Sequence, residues 1–361
     1  MPIVRKTIGL LLAIAAVGGF IVGVWMGLVR LGWSLGFPPS VGAHGPLLVL
    51  AILGTLIGAE RAVAIGKPWV WIGPVTSALA AVTIVAGVSV SVSAFLLIVS
   101  GGVLVGVFTS VYLVHPATHI AVMGVGAAAF VASAIVLSLE VATPRVVPLL
   151  AAFLVITITG ERLELAHLGV DRAGTIWFIV SIVGVGVGSI AAGAGLDAGA
   201  RLAGVAFLSL ALWLGRYDIA RRTVRLKGST RYMAVSLLVG YAWLGIAGLF
   251  WLYFGLQPAT QGYDTGVHAV FLGFVMSMVF GHSIIVIPVF TNLSFPYHKV
   301  MWLPLAFLHM SLVIRAYGDI ALSFEIKQWG GMLNTIALAL FAGVALVTVV
   351  KANTSPSTSR A

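Results

Sequence analysis

The sequence predicts an all-α integral membrane protein of about twelve transmembrane helices. Composition, span count and the placement of basic residues all carry this reading. Of 361 residues, 60% are hydrophobic and 8% charged, and the mean hydropathy is +1.13, far outside the range of globular chains. Apolar runs of about 20 residues, bounded by charge, Pro or Gly, recur along the whole chain. Lys and Arg crowd the short loops on one side, the bias that orients membrane helices.

Taken in order, the runs fall near 8–30, 41–65, 69–88, 91–114, 119–140, 145–167, 174–195, 200–222, 231–255, 264–290, 300–320 and 329–350. Arg5 and Lys6 precede a first run long enough to span, so it reads as a helix rather than a cleaved signal. The third and fourth runs are divided only by Val88-Ser89-Val90-Ser91. Residues 1–351 then form one transmembrane domain, and 352–361, rich in Ser and Thr, a disordered tail. With the N-terminus in the cytoplasm, Arg30, Arg145, Arg201, Arg315 and Lys327 are the only basic residues outside. These are 5 of the 20 Lys and Arg, leaving 15 inside and placing both termini in the cytoplasm. The net charge of +10 is therefore topogenic and implies no nucleic acid. A bacterial or archaeal plasma membrane is the expected location, with the lipid bilayer as the first partner.

The absence of cysteine excludes disulfides, thiolate-held Fe–S clusters, c-type haem attachment and thiolate copper. A redox metal here needs histidine or methionine. No nucleophile–base arrangement and no nucleotide fingerprint appears, so no catalytic residue is assigned. Most of the 43 glycines read as helix-packing residues.

A weak repeat links the even-numbered runs. Run 2 reads Gly42-Ala43-His44, an apolar stretch, then Gly58-Ala59-Glu60-Arg61; run 10 reads Gly266-Val267-His268, an apolar stretch, then Gly281-His282; run 6 supplies Gly160-Glu161-Arg162. Three pseudo-repeats of four helices account for this. His44 and His268 then open their helices at one surface, about 5–6 Å below the boundary at 1.5 Å per residue. Two imidazoles at equal depth suit the axial positions of a haem; they equally suit interfacial histidines bonded to loop carbonyls. Arg315 and Arg30 come to a similar depth and suit the propionates of such a haem, although Arg315 is also placed for an i, i+4 ion pair with Asp319.

His282 lies about 21 Å beyond His268 on nearly the same helix face, and His309 is midway along run 11. Together they suit a second metal or proton site; separately, each suits a buried, hydrogen-bonded structural role. His115 and His119 flank Pro116 in a loop. Glu60, Arg61, Glu161 and Arg162 form an inner polar cluster, readable as a proton entry or as cross-helix ion pairs.

These residues resemble a family. Histidines opening helices 2 and 10 of a twelve-span chain resemble subunit I of the haem-copper oxidases and, more closely, the NnrS membrane proteins. His268-Ala269 through Gly273, Met278 and Gly281-His282-Ser283 is similar to the His-Ala…Gly…Met…Gly-His-Thr run of NnrS, and Ile287-Pro288-Val289-Phe290-Thr291 to its Ile-Pro-Phe-Phe-Thr motif. Departures narrow the implications of the resemblance. Val270 stands where the oxidases have the second histidine of a His-x-His pair, and the copper-site histidines are missing. The resemblance therefore implies one haem b on His44 and His268, no support for copper, and no dioxygen-reducing oxidase activity. It implies a role in nitric oxide response or handling, or in membrane electron transfer, with nitric oxide or a quinol-type electron donor as partner. A secondary transporter using Glu60, Glu161, His282 and His309, or a cofactor-free assembly subunit, are the competing expectations.

Overall fold

The computed structural model describes residues 2–36, 41–141, 143–166, 169–258, 260–291 and 293–354, and every regular element among them is helical. Twelve helices are long and apolar enough to span a bilayer. They are α1 (Leu11–Arg30), α2 (Val41–Ile65), α3 (Pro68–Val85), α4 (Val90–Val114), α5 (Thr118–Ser138), α6 (Thr143–Ala166), α7 (Arg172–Gly193), α8 (Asp197–Tyr217), α9 (Gly228–Phe254), α10 (Tyr263–Pro288), α11 (Lys299–Ile320) and α12 (Phe324–Thr354). The last helix runs through Thr354, so the first three residues of the expected tail are helical. The remainder of that tail, 355–361, lies outside the described residues, as does His167.

Boundaries differ from the sequence reading where side chains intervene. α8 stops at Tyr217 rather than near 222, because Asp218 turns extended (φ −66°, ψ 143°). Its carboxylate then accepts the Ala220 N–H at 2.7 Å and starts a separate turn, Ala220–Thr223. The weak division after α3 is a real turn: Gly87 adopts φ +68°, a left-handed conformation that glycine takes without strain.

Helices α2, α6 and α10 meet one another at the centre of the bundle. Each is the second of four consecutive spans, the arrangement that three four-helix units produce. α6 is the hub: 89% of its apolar window is buried, against 33% for α7 and 17% for α12. A second apolar cluster, with Tyr232, Phe280, Leu308 and Ala337 at its heart, joins α9 and α10 to α11 and α12.

Small residues let the outer helices close on this centre. Along α1, Gly19, Gly23 and Gly27 recur every fourth residue, and a Cβ on each would come 2.5 Å from Ile52, 2.6 Å from Leu48 and 2.7 Å from His44 respectively. The partners also step by four in the opposite direction, so α1 and α2 are antiparallel and in register.

Both α2 and α10 depart from α-helical geometry at matching places. A π-helical segment, Leu47–Leu53, follows His44, and another, Ala269–Val275, follows His268. In α2 the sequence explains part of this. Pro46 has no N–H to return to the Gly42 carbonyl, and Thr143 Oγ1 of α6 donates to that carbonyl instead at 3.0 Å. The wider turn re-aims the side chains near it, a feature that recurs at functional sites.

Candidate functional site

The site begins with two histidines whose rings are held the same way. His44 Nδ1 lies 2.6 Å from the Gly23 carbonyl of α1, and His268 Nδ1 lies 2.9 Å from the Asp264 carbonyl one turn earlier in α10. A carbonyl only accepts, so Nδ1 carries the proton in both rings, and Nε2 presents its lone pair. The acceptors belong to helices, not to loops. His44 Nε2 has no hydrogen-bond partner among the described residues. The two rings are close enough to interact electrostatically, and Arg30 and Arg315 act on His44 as well.

His268 sits inside a charged frame. Arg315 of α11 donates to both carboxylate oxygens of Asp264, Nε at 2.6 Å and Nη2 at 2.8 Å. The same Nη2 is 3.2 Å from His268 Nε2, while Asp264 Oδ1 lies 3.2 Å from His268 Nδ1. Arg315 is fixed from behind by α12, where a Cβ on Gly330 would come 2.5 Å from the Arg315 Cα. Arg315 therefore pairs with Asp264 and not with Asp319, correcting the i, i+4 expectation. Asp319 accepts from Thr265 N and Oγ1, each at 3.0 Å, and pairs with Lys327 at 3.4 Å. The reason is geometric: Asp264 opens the neighbouring helix in the plane of the guanidinium and takes it bidentately, which one turn of α11 does not offer. Arg30 ends α1 exposed, in electrostatic reach of His44 and Tyr263.

At the other end of the bundle the charges close on one another. Arg61 of α2 pairs with Glu161 of α6, with Glu60 3.8 Å away, and its guanidinium stands 5.6 Å over the Phe108 ring. Arg162 binds Asp218 through Nε at 2.7 Å and Nη2 at 2.9 Å, and both side chains are almost wholly buried. His282 repeats the ring arrangement of His44 and His268, with Nδ1 2.8 Å from the Met278 carbonyl; its charged surroundings are Arg162, Glu60 and Asp218. His309 is held the opposite way. Its Nδ1 accepts the Trp243 indole N–H at 3.0 Å, so Nε2 bears the proton, buried and without a partner among the described residues. His282 and His309 thus have different hydrogen-bond partners. No group of three or more His, Asp or Glu disposed for a metal ion occurs among the described residues.

Residues 8–350 match the family described as "Domain of unknown function (DUF8744)". The chain belongs to this family. No curated protein matches it significantly. The DUF8744 segment extends from before α1 into the last turn of α12 and contains His44, His268, Asp264 and Arg315.

Sequence reasoning alone does not single out three residues that the structure places at these polar centres of the DUF8744 chain. Asp264 carries a signal, the four-residue spacing to His268. Asp218 and Gly27 carry none, since the partner of each lies on another helix, 56 and 17 positions away in Arg162 and His44.

Proposed function

We propose that this chain is a membrane haem protein that holds one b-type haem between His44 and His268, and that it serves nitric oxide handling or membrane electron transfer. The observation that supports this reading most is the matched tautomer of the two imidazoles. Each donates Nδ1–H to a backbone carbonyl and offers Nε2, the arrangement that orients metal-bound histidine. The donor set fits iron in a porphyrin, which takes neutral imidazole nitrogens and needs no cysteine. The resemblance to NnrS and to the oxidases points the same way, because the two histidines open helices 2 and 10.

In this reading Arg315 has two duties. It holds Asp264, and through it the His268 ring; its Nη2 also rests on the His268 lone pair and would release it to a ligand while keeping both bonds to the carboxylate. Arg30 and Arg315 are the cations available to propionates. Gly27 leaves room for the His44 ring, since any side chain there would press on Cε1. Haem, when bound, supplies a one-electron iron centre, with a position for a diatomic gas where one histidine yields.

The test is spectroscopic. The protein, expressed with ample haem supply and purified in detergent, is expected to give a low-spin reduced-minus-oxidised spectrum and about one haem per chain on extraction. His44→Ala and His268→Ala are each expected to remove that spectrum without abolishing the folded protein. A colourless wild-type protein overturns the proposal, and a low-spin spectrum that survives both substitutions overturns these ligands.

A further inference from the structure

A second site lies at the opposite end of the bundle from His44 and is independent of the haem reading. Between the N-terminal ends of α9 and α11, a cavity of about 620 Å³ is lined by Lys227, Arg231 and Lys299, with Tyr297 and Trp302 as its aromatic wall and Val235 one turn further along α9. The three cations are exposed, and none has an acidic partner among the described residues. Elsewhere in the protein, Arg61, Arg162, Arg201 and Arg315 each pair with a carboxylate. Three unpaired positive charges around one hollow repel one another unless an anion joins them.

The aromatic wall of the hollow is hydrogen-bonded and packed from behind. Trp302 Nε1 donates to Tyr297 Oη at 2.9 Å, and the fully buried Tyr232 packs against both rings, at 5.4 Å from Trp302 and 6.0 Å from Tyr297. Gly228, in the left-handed conformation at φ +66°, turns the chain so that Lys227 and Arg231 flank the start of α9. The site therefore sits where a helix enters the apolar layer, with aromatic side chains at the level that membrane-interface aromatics occupy. Next in the chain to the lining residues Lys299 and Trp302, Val300 and Leu303 of α11 are exposed apolar residues, 39% and 57% accessible, suited to contact with acyl chains.

We infer that this cavity binds the phosphate head group of an anionic membrane lipid, with Lys227, Arg231 and Lys299 as the phosphate ligands and Val300 and Leu303 contacting its chains. Basic hollows between spanning helices at the headgroup level select anionic over zwitterionic lipid by charge. The apolar flank is what distinguishes a lipid from a free phosphate.

Native mass spectrometry of the detergent-purified protein, titrated with phosphatidylglycerol, phosphatidylcholine or inorganic phosphate, tests this. One phosphatidylglycerol per chain is expected to be retained in preference to phosphatidylcholine. The combined variant Lys227→Gln, Arg231→Gln and Lys299→Gln is expected to lose affinity on the order of hundredfold, from about one kcal/mol per cation. These side chains are exposed, and a circular dichroism melt confirms that the variant folds. Arg221→Gln with Arg222→Gln and Arg225→Gln serves as a charge-matched control in the adjoining turn and is expected to change retention less than twofold. Equal retention of the two lipids overturns the inference. So does a triple variant that binds like wild type, or a control that loses as much. Phosphate alone competing at equal concentration would make this a free-anion site and overturn the lipid assignment.

Discussion

The two ends of the bundle use their polar groups differently. At the Arg61 end, the ion pairs close on themselves: buried Arg162 and Asp218 bond bidentately, and the more accessible Arg61 and Glu161 pair with each other. At the His44 end, Asp264 and Arg315 satisfy each other too, but beside them two imidazoles are each tied to a carbonyl through Nδ1, with His44 Nε2 unpartnered among the described residues and His268 Nε2 shared only with Arg315. A closed pair fixes helices; an imidazole with one nitrogen tied and one free fixes its own orientation while remaining able to bind. The Arg61 end holds one imidazole tied in this way, His282, whereas the His44 end holds two, and that pairing marks it as the candidate binding layer.

The largest effect is expected where closure is strictest. Asp218→Ala strands the Arg162 guanidinium in the interior and should cost about 3–5 kcal/mol, read as a lowered melting temperature in detergent. The double variant Arg162→Met with Asp218→Leu should recover most of that loss, leaving only the missing cap on Ala220. If the double variant melts as low as the single, the pair does more than hold α6 to the end of α8.

Asp264→Asn probes the other end. It weakens two charge-assisted hydrogen bonds to Arg315, worth about 2 kcal/mol in stability. Under the proposed haem function it should also lower haem retention about 10- to 100-fold, as loss of an orienting partner does. Loss of stability with unchanged haem content would give Asp264 a purely structural role, like that of Asp218.

Gly27→Ala is finer still. The added methyl would stand 2.7 Å from His44 Cε1, so the ring must shift. Under the proposed haem function, the expected result is about tenfold weaker haem binding with a melting temperature within a few degrees of wild type. A variant that keeps wild-type affinity would show that the ring position has slack. The smallest effect belongs to Glu161→Gln, where the carboxylate is 39% exposed. A pair so accessible contributes under about 1 kcal/mol, and the melt is expected to move by a degree or two at most.

Much of the scaffold is legible in the chain. Apolar runs of membrane-crossing length predict all twelve helices, because a bilayer forces backbone groups to pair within each span. The Gly-x-His openings of α2 and α10 point to equivalent positions, and both are followed by π-helical turns. The Arg315 partner is not legible, because local spacing favours Asp319, whereas the bidentate fit to Asp264 depends on how α10 and α11 meet. The orientation of the His309 ring is not legible for a similar reason. Depth along a helix comes from counting residues, but azimuth comes from packing, and Trp243 of α9 turns His309 to its own indole.

By itself, then, the sequence determined the number of spans, their length and which helices carry histidine near an end, since hydrophobic transfer and helix rise depend only on residue order. Tertiary structure alone decided which helices stand at the centre, which carboxylate each arginine takes and which imidazole nitrogen is tied to a carbonyl. Those are matters of rotation and contact between helices. Interactions such as Gly27 with His44 or Arg162 with Asp218 come into being only when separate helices close to within a few ångströms.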